Sequence, residues 1–495
     1  MHRKDVNISL LAIIFLTVIA VLLAAWMFLQ QERPNVLLIV LDTVRADHLS
    51  CYGYHRNTSP HIDAFATNAR LYKNVLSPSP WTAPSHASFF TGLPSSAHFC
   101  TNVQTLLHDD FDTLAEQLRA KGYQTLGLVT NPTITKERGF AQGFDVFTNV
   151  GSHIDHRRPL REVVNREEMD ARSYSFLLQK QLEEWFDKQY RPAKPFFIFL
   201  NYIEPHAPYV PPSSHLRWST QGMFDKWEAV DQFDYTFRHV FCRENTLSQE
   251  DIAELATLYD EEIAYIDGKV GQALELLRKT GNYENTLIII ASDHGEHLGE
   301  HGLMEHQFSV YEPLVRVPLI VKYRDRFAAG EEETLVQSHD IYPTILELAR
   351  VKWKRLAVHN SRSLLTLDDS DSRVAISEYW KVDWVLEAAT EQLGTERDFF
   401  VHSHHTRDLK AFQIGDMKLV LSSKGESELY DLAKDPLETH DLSRLRPEVL
   451  REFHDQVELW RKPFENYKPA FLEEDNDREL SEKELGTMRG MGYIR

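Results

Sequence analysis

Between residues 35 and 321 the chain alternates two kinds of pattern. Short unbroken apolar runs occupy 35–41 (NVLLIVL), 125–129 (TLGLV), 195–200 (PFFIFL), 286–291 (TLIIIA) and 317–321 (VPLIV). Runs of this length suit strands buried on both faces of a parallel sheet. Between them, residues 111–122 and 249–279 carry apolar positions at helical spacing, the second stretch strongly amphipathic. Helices alternating with buried strands predict a three-layer α/β/α sandwich with a mostly parallel central sheet, placed here at residues 33–365. Two of the apolar runs lead directly to acids, Asp42 and Asp293, at the carboxyl ends of their strands. In open α/β sheets that edge is where ligands bind.

The pattern changes beyond residue 370. Short runs at 374–380, 398–402, 411–414 and 418–421 predict a smaller antiparallel subdomain over 370–445, with a hairpin turn at Gly415-Asp416. Residues 447–460 read as a helix opened by Pro447, within a terminal helix and tail at 446–495. The charged stretch 473–484 reads as a solvated surface segment. At the other end, residues 8–29 form an apolar run broken only by Ser9 and Thr17. At about 1.5 Å per residue it reaches roughly 33 Å, enough to cross a bilayer. His2, Arg3 and Lys4 precede it, which predicts a cytoplasmic tail at 1–7, one transmembrane helix, and the remainder outside. A cleaved leader is the alternative, given the small residues between Ala20 and Ala25, but the apolar run continues through Trp26, Met27 and Phe28.

Composition narrows the function classes. A formal charge of −20 over 495 residues leaves no basic face for general nucleic-acid binding. Any anionic substrate must then be met by local cations or by a metal. Cys51, Cys100 and Cys242 are too few for a disulfide framework and fit no metal motif, so they read as buried thiols, with a single bridge as the alternative.

The chemistry gathers in two loops. In PWTAPSHASFF (80–90), Thr82 or Ser85 stands near the cap of a helix, where free N–H groups and the dipole favour an anion. SDHGEHLGEHG (292–302) packs three histidines, one aspartate and two glutamates between glycines, a density that suits a divalent metal and anion contact. Singly, Thr82 fits an N-cap and Asp42 a turn former; together they make a site.

These stretches resemble the sulfatase family within the alkaline phosphatase superfamily. The matching motifs are RPNVLLIVLDTVRADHL (33–49), PWTAPSHAS (80–88), EPHAPY (204–209), SDHGE (292–296), EHGL (300–303), RVPLIV (316–321), HDIYPTILELA (339–349) and ELYDLAKDP (428–436). They keep the family's order across residues 33–445, and the ending from LSEKEL (480–485) to Gly492 looks like the tail of bacterial members. The resemblance implies that Asp42, Asp293 and His294, joined by the oxygen of Thr82, hold one divalent ion: Mn²⁺, Ca²⁺, Mg²⁺ or Zn²⁺. It implies that Thr82 is the nucleophile and that His206 and His306 contact the oxygens of the substrate anion. His86 stands where relatives carry the arginine that steadies the nucleophile.

Three departures shape the expected activity. Sulfatases that cleave sulfate esters mature a Cys or Ser at the position of Thr82 to formylglycine, and threonine is not a substrate for that step. A threonine resembles instead the branches that pass through a phospho-threonine. Thr43 replaces the second aspartate of the usual pair, and GLVTNP (127–132) stands where a Gly-Lys-Trp-His motif is usual. No Asp-x-x-x-His begins at Asp260, so one metal is expected rather than two. The implied function is metal-dependent hydrolysis or transfer of phosphate mono- or diesters at the outer membrane face, on a lipid headgroup or envelope glycan. The alternatives are a sulfuric ester hydrolase working without formylglycine and a sulfatase-like binding protein without turnover.

Overall fold

Unbroken runs of valine, leucine, isoleucine and phenylalanine are stable as strands only where both faces are covered. The computed structural model describes residues 33–150, 173–242, 247–367, 373–395 and 399–465, with 13, 17, 467 and 469 besides. In it, eight strands form one sheet: β1 (Asn35–Leu41), β2 (Arg70–Tyr72), β3 (Gln124–Val129), β4 (Val146–Asn149), β5 (Phe196–Tyr202), β6 (Thr286–Ser292), β7 (Leu319–Lys322) and β8 (Gly330–Glu332). Their order is β8-β2-β7-β6-β1-β5-β3-β4. Strands β6, β1, β5, β3 and β4 run parallel, while β7 is antiparallel to both β6 and β2. Every residue of β1, β5 and β6 is buried.

Alternation along β1 divides the core into two. Val36, Leu38 and Val40 face helix α1 (Thr82–Thr91) and the helices Leu114–Ala120 and Ile341–Leu348; Leu37, Ile39 and Leu41 face Tyr174–Lys188 and the long helix α2 (Gln249–Lys279). The result is the expected three-layer α/β fold. Register then sets the site. Leu41 pairs with Ser292 on one side and Tyr202 on the other, so Asp42, Asp293 and the 203–206 segment all leave the sheet at one edge.

The second sheet is antiparallel, in the order β9 (Ala375–Tyr379), β10 (Leu409–Ile414), β11 (Met417–Ser422) and β12 (Ser427–Asp431). The β10–β11 hairpin turns at Gly415-Asp416, with Gly415 at φ 57°, as its two-residue loop requires. Helix α3 (Pro447–Arg461) covers one face through Phe453 and Val457. The other face, with Ala375, Tyr379, Leu409 and Val420, packs against Trp81, Phe308, Val310 and Leu314. The small sheet therefore buttresses the residue next to Thr82. Glu378 N–H also donates to the Pro78 carbonyl at 2.9 Å, and Ser79 Oγ to the Glu378 carbonyl at 2.9 Å.

Several expectations change. The run at 398–402 forms no strand: Phe399 makes an isolated bridge to Cys242, and 396–398 lie outside the described residues. Strand β12 was not anticipated, because SELYD has too few apolar residues to announce itself and gains its place by pairing with β11. The helix expected from residue 111 starts at Leu114, since the Thr113 hydroxyl accepts the Glu116 N–H and Glu116 returns a bond to Thr113 N–H. The three cysteines are free thiols, with Cys100 and Cys242 buried and Cys51 half-buried.

The membrane placement requires correction. The run at 8–29 lies outside the described residues except for Ile13 and Thr17. Among the described residues no helix is long and apolar enough to cross a membrane. The longest, α2, has 31 residues but carries Asp, Glu, Lys and Arg throughout its length. A single-pass anchor with a cytoplasmic N-terminus and an extracytoplasmic catalytic domain is not upheld. The charged segment expected at 473–484 also lies outside the described residues.

Candidate metal and nucleophile site

Thr82 is the first residue of α1, after Trp81 in extended conformation, and its hydroxyl lies at the helix N-terminus. Its Oγ1 is 3.2 Å from His294 Nε2. His294 Nδ1 lies 3.0 Å from the Gly295 carbonyl, which can only accept, so Nδ1 carries the proton and Nε2 the lone pair. The Thr82 hydroxyl therefore donates to His294. Asp42, Asp293 and His294 offer ligand atoms that all lie within 4.8 Å of one another, and all three are fully buried. The structure thus brings together the four residues expected to share a cation.

The carboxylates are aimed by their second oxygens. Asp42 Oδ2 accepts from Asn131 Nδ2 at 2.7 Å and Asn201 Nδ2 at 3.3 Å. Asp293 Oδ1 accepts the backbone N–H groups of Thr43 at 3.1 Å and His294 at 2.9 Å. Among the described residues nothing donates a hydrogen bond to Asp42 Oδ1 or Asp293 Oδ2. Burial, with the Asp293 charge beside it, holds Asp42 well above the carboxylate range. Burial likewise pushes Asp293 up to about 7. Two buried carboxylates with unpartnered oxygens and an imidazole lone pair form the oxygen-rich donor set that suits a hard divalent cation. The residues present therefore fit the metal that the motif resemblance implies.

Asn131 was not singled out from sequence. It follows β3, within the GLVTNP segment, and its Nδ2 reaches both Asp42 and, at 3.4 Å, Thr82 Oγ1. Its Oδ1 is fixed by Thr133 N–H at 2.8 Å and Thr133 Oγ1 at 2.6 Å. Only the parallel pairing of β3 with β5, two strands from β6, brings it to the site. Thr43 adds no side chain to the cation site: its hydroxyl donates to the Asp42 carbonyl at 2.7 Å. Its φ of 58° is unusual for a β-branched residue and puts its N–H onto Asp293.

His86, one turn along α1, donates from Nδ1 to the Thr82 carbonyl at 2.8 Å and lies 3.5 Å from Asp293 Oδ2. Its ring packs edge-on against Phe89 and Phe199. Burial pushes it down to about 3, so it is a neutral brace in the resting protein rather than a cation. His206 and His306 face each other across 5.0 Å between ring centroids, and the His306 ring is 4.7 Å from that of His294. Burial lowers both, His206 to about 3. At 7% exposure His206 is the most accessible of these side chains.

The loop that carries Asp293 and His294 is held close. A Cβ on Gly295 would lie 2.1 Å from the Pro313 carbonyl oxygen, and Gly295 N–H donates to the Leu314 carbonyl at 2.8 Å. Arg45, buried beside it, donates to the Glu296 carbonyl at 3.0 Å and Glu300 at 2.6 Å. The geometry assembles a hydroxyl, two carboxylates and four imidazoles around one small volume.

Comparisons with known proteins agree with this arrangement. The family described as Sulfatase matches residues 34–351, and a second, described as N-sulphoglucosamine sulphohydrolase, C-terminal, matches 299–462. An arylsulfatase of Clostridium perfringens is 21% identical over 479 residues, covering 87% of this chain and 93% of that protein. An N-acetylglucosamine-6-O-sulfatase of Bacteroides thetaiotaomicron is 23% identical over 540 residues, covering 93% and 90%. The crystal structure of the phosphonate monoester hydrolase of Agrobacterium radiobacter superposes with a TM-score of 0.67 at 20% identity, covering 87% of this chain and 96% of that one, and shows the shared fold. Because the first match runs through all eight strands of the large sheet and both loops that carry the site, this chain belongs to the sulfatase family, and it is an ester-hydrolysing enzyme.

Proposed function

We propose that the chain is a metal-dependent hydrolase or transferase of phosphate mono- or diesters, with Thr82 as its nucleophile. The observation that carries this reading is the Thr82 hydroxyl at a buried helix N-terminus, 3.2 Å from His294 Nε2 and beside two carboxylates with unpartnered oxygens. Asp42, Asp293 and His294 would hold the divalent ion, which when bound lowers the pKa of a coordinated hydroxyl and offsets charge on the ester. Thr82 Oγ1 gives up its proton to solvent and forms the new bond to phosphorus as the bond to the leaving alcohol breaks. The N–H groups that open α1 favour the negative charge this brings. Asn131 holds Thr82 and Asp42 in register. His206 and His306 face the ester oxygens; an arriving anion raises their affinity for a proton, which the leaving alkoxide needs. Water or a second alcohol then frees Thr82.

A sulfuric ester is the second reading, favoured by the arylsulfatase and N-acetylglucosamine-6-O-sulfatase among the relatives. Those names make anionic glycans reasonable substrates under either reading. Threonine counts against sulfate, since a secondary alcohol cannot become the aldehyde hydrate that expels it. The test is an assay of aryl phosphate, aryl phosphodiester and aryl sulfate with Mn²⁺, Ca²⁺ or Zn²⁺, in wild type and Thr82→Ala. Phosphorus turnover that falls at least about 10³-fold in the variant is expected. Sulfate turnover alone would replace this reading with the second, and cation binding without any turnover would leave a binding protein.

A further inference from the structure

The helix Ile341–Leu348 has two working faces. Ile341, Tyr342, Ile345 and Leu346 enter the core that it shares with Ala83, Ala87 and Phe90 of α1. Pro343 and Glu347, on the opposite side of the helix, face a cavity of about 760 Å³. That volume falls within the range of small-molecule sites, about 300–1,000 Å³. The other wall is the segment between Val351 and Leu367. No residue of the cation site lines this cavity, and the proposed reaction makes no use of it.

Its charge runs against that of the chain. The formal charge is −20, yet Lys352, Arg355, Arg362 and Arg373 line this one cavity against a single acid, Glu347. A chain that repels anions overall can hold one only where the sign reverses locally. Among the described residues neither Lys352 nor Arg355 pairs with a carboxylate; Arg355 Nη2 donates instead to the Ser361 carbonyl at 3.1 Å. Arg373 is 5% exposed. Both its Nη atoms bond Asp340, and Nη2 also donates to the Asn360 carbonyl at 3.0 Å. Its Nε has no acceptor among the described residues. A buried N–H left without an acceptor marks a place where a further oxygen belongs. Trp353 is fixed by edge contacts with Tyr342 and His359, at 5.3 and 5.0 Å between ring centroids, so its indole is a rigid part of the wall.

We propose that this cavity binds a sugar carrying a phosphate or sulfate ester, apart from the reacting centre. Guanidinium forks match the paired oxygens of either anion, and the Lys352 ammonium adds a point charge. The volume exceeds what a bare inorganic anion fills, which calls for an organic body behind the charge. The Ser363 and Thr366 hydroxyls and the Trp353 ring suit a body with polar edges and apolar faces, as a pyranose has. The inference goes beyond the reading of Thr82 and is independent of it: the cavity holds its ligand whether the other site cleaves phosphate or sulfate. It gives the chain a second grip on an anionic glycan that leaves the cation site free.

The test is binding with turnover and the catalytic cation both removed. The full-length chain bearing Thr82→Ala, stripped with chelator, is titrated by calorimetry with glucose 6-phosphate, glucose 6-sulfate, inorganic phosphate and glucose. One of the two sugar esters is expected to bind at least about tenfold more tightly than inorganic phosphate or glucose, and the pair tells phosphate from sulfate. Adding Lys352→Ala and Arg355→Ala, both exposed, is expected to weaken that binding at least about tenfold with the melting temperature unchanged. Should that protein be unstable, Lys352→Glu alone is expected to weaken binding in the same way. Equal affinity for inorganic phosphate and the sugar esters, or no binding by any probe, would overturn the inference. So would binding indifferent to the Lys352 and Arg355 substitutions, which would place the anion at the Thr82 site instead. Binding that emerges only with Asp368→Asn, Asp369→Asn and Asp371→Asn would also sink it, since the cations would then serve acids of this chain.

Discussion

Replacing Lys418 by methionine should loosen the active site from a distance, and the structure gives the size of the effect. Lys418, on β11, is fully buried, with its Nζ 2.9 Å from Glu312 Oε1 and 2.8 Å from Glu438 Oε1. Glu438 Oε2 in turn accepts the Glu312 N–H at 2.6 Å, at the start of the short helix Glu312–Val315. Leu314 of that helix accepts the N–H of Gly295, next to His294. One cation therefore ties the small sheet to the brace of the metal loop. Removing one partner from a buried ionic group leaves the others uncompensated, at a cost of about 3–5 kcal/mol.

The pH dependence has a definite sign. Burial raises Glu438, Lys418 lowers it and Glu312 raises it again, leaving it at about 7 against an ordinary 4.5. A carboxyl raised in the folded state contributes stability that is fully present below its unfolded pKa and is lost as pH rises through its folded one. Without Lys418 the folded pKa climbs further, so the penalty grows between pH 5 and pH 8. Urea unfolding followed by circular dichroism should show the Lys418→Met deficit grow between pH 5 and pH 8 by up to about 1.4 kcal/mol, the most that one pH unit above a folded pKa of about 7 allows. Adding Glu438→Gln, which keeps an acceptor for the Glu312 N–H, should restore most of the loss. A deficit equal at both pH values, or a double variant no better than the single one, would refute the reasoning.

Three further outcomes follow from the site. Asn131→Ala removes the donor shared by Asp42 and Thr82 and should lower cation affinity or kcat about 10–100-fold, the usual scale for an outer partner of a metal ligand; calorimetry and steady-state kinetics that both match wild type would place Asn131 outside the machinery. Gly295→Ala drives a Cβ to 2.1 Å from the Pro313 carbonyl and should cost about 1–3 kcal/mol with weakened cation binding, whereas Gly415→Ala, with open space around it, should leave cation binding intact when both are titrated. Stripping the protein with chelator should abolish turnover, and restoring a divalent ion at 100 times its Kd should raise stability by about 2.7 kcal/mol; a melting temperature indifferent to the ion, or one that shifts equally in Asp42→Asn, would count against the site.

What could be read along the chain was whatever repeats over a few residues. Seven consecutive apolar residues require burial on both faces wherever they lie, so β1 and β6 and the acids at their tips were legible. So was the hairpin at Gly415-Asp416, and local motifs placed Asp42, Thr82, Asp293 and His294 in one family's order. Contacts between distant segments were not legible. Asn131 reaches Asp42 only through the strand order of the sheet, Glu296 joins His206 and His306 through the path of a loop, and Lys418 of the small sheet meets Glu312 on the short helix that braces the metal loop. Charge state also had to wait for the fold: His206 and Asp293 have ordinary pKa values in an isolated chain, and burial moves them in opposite directions, the imidazole down and the carboxyl up. Side-chain identity and spacing travel with the chain; register, burial and the dielectric around a group exist only once the chain has folded.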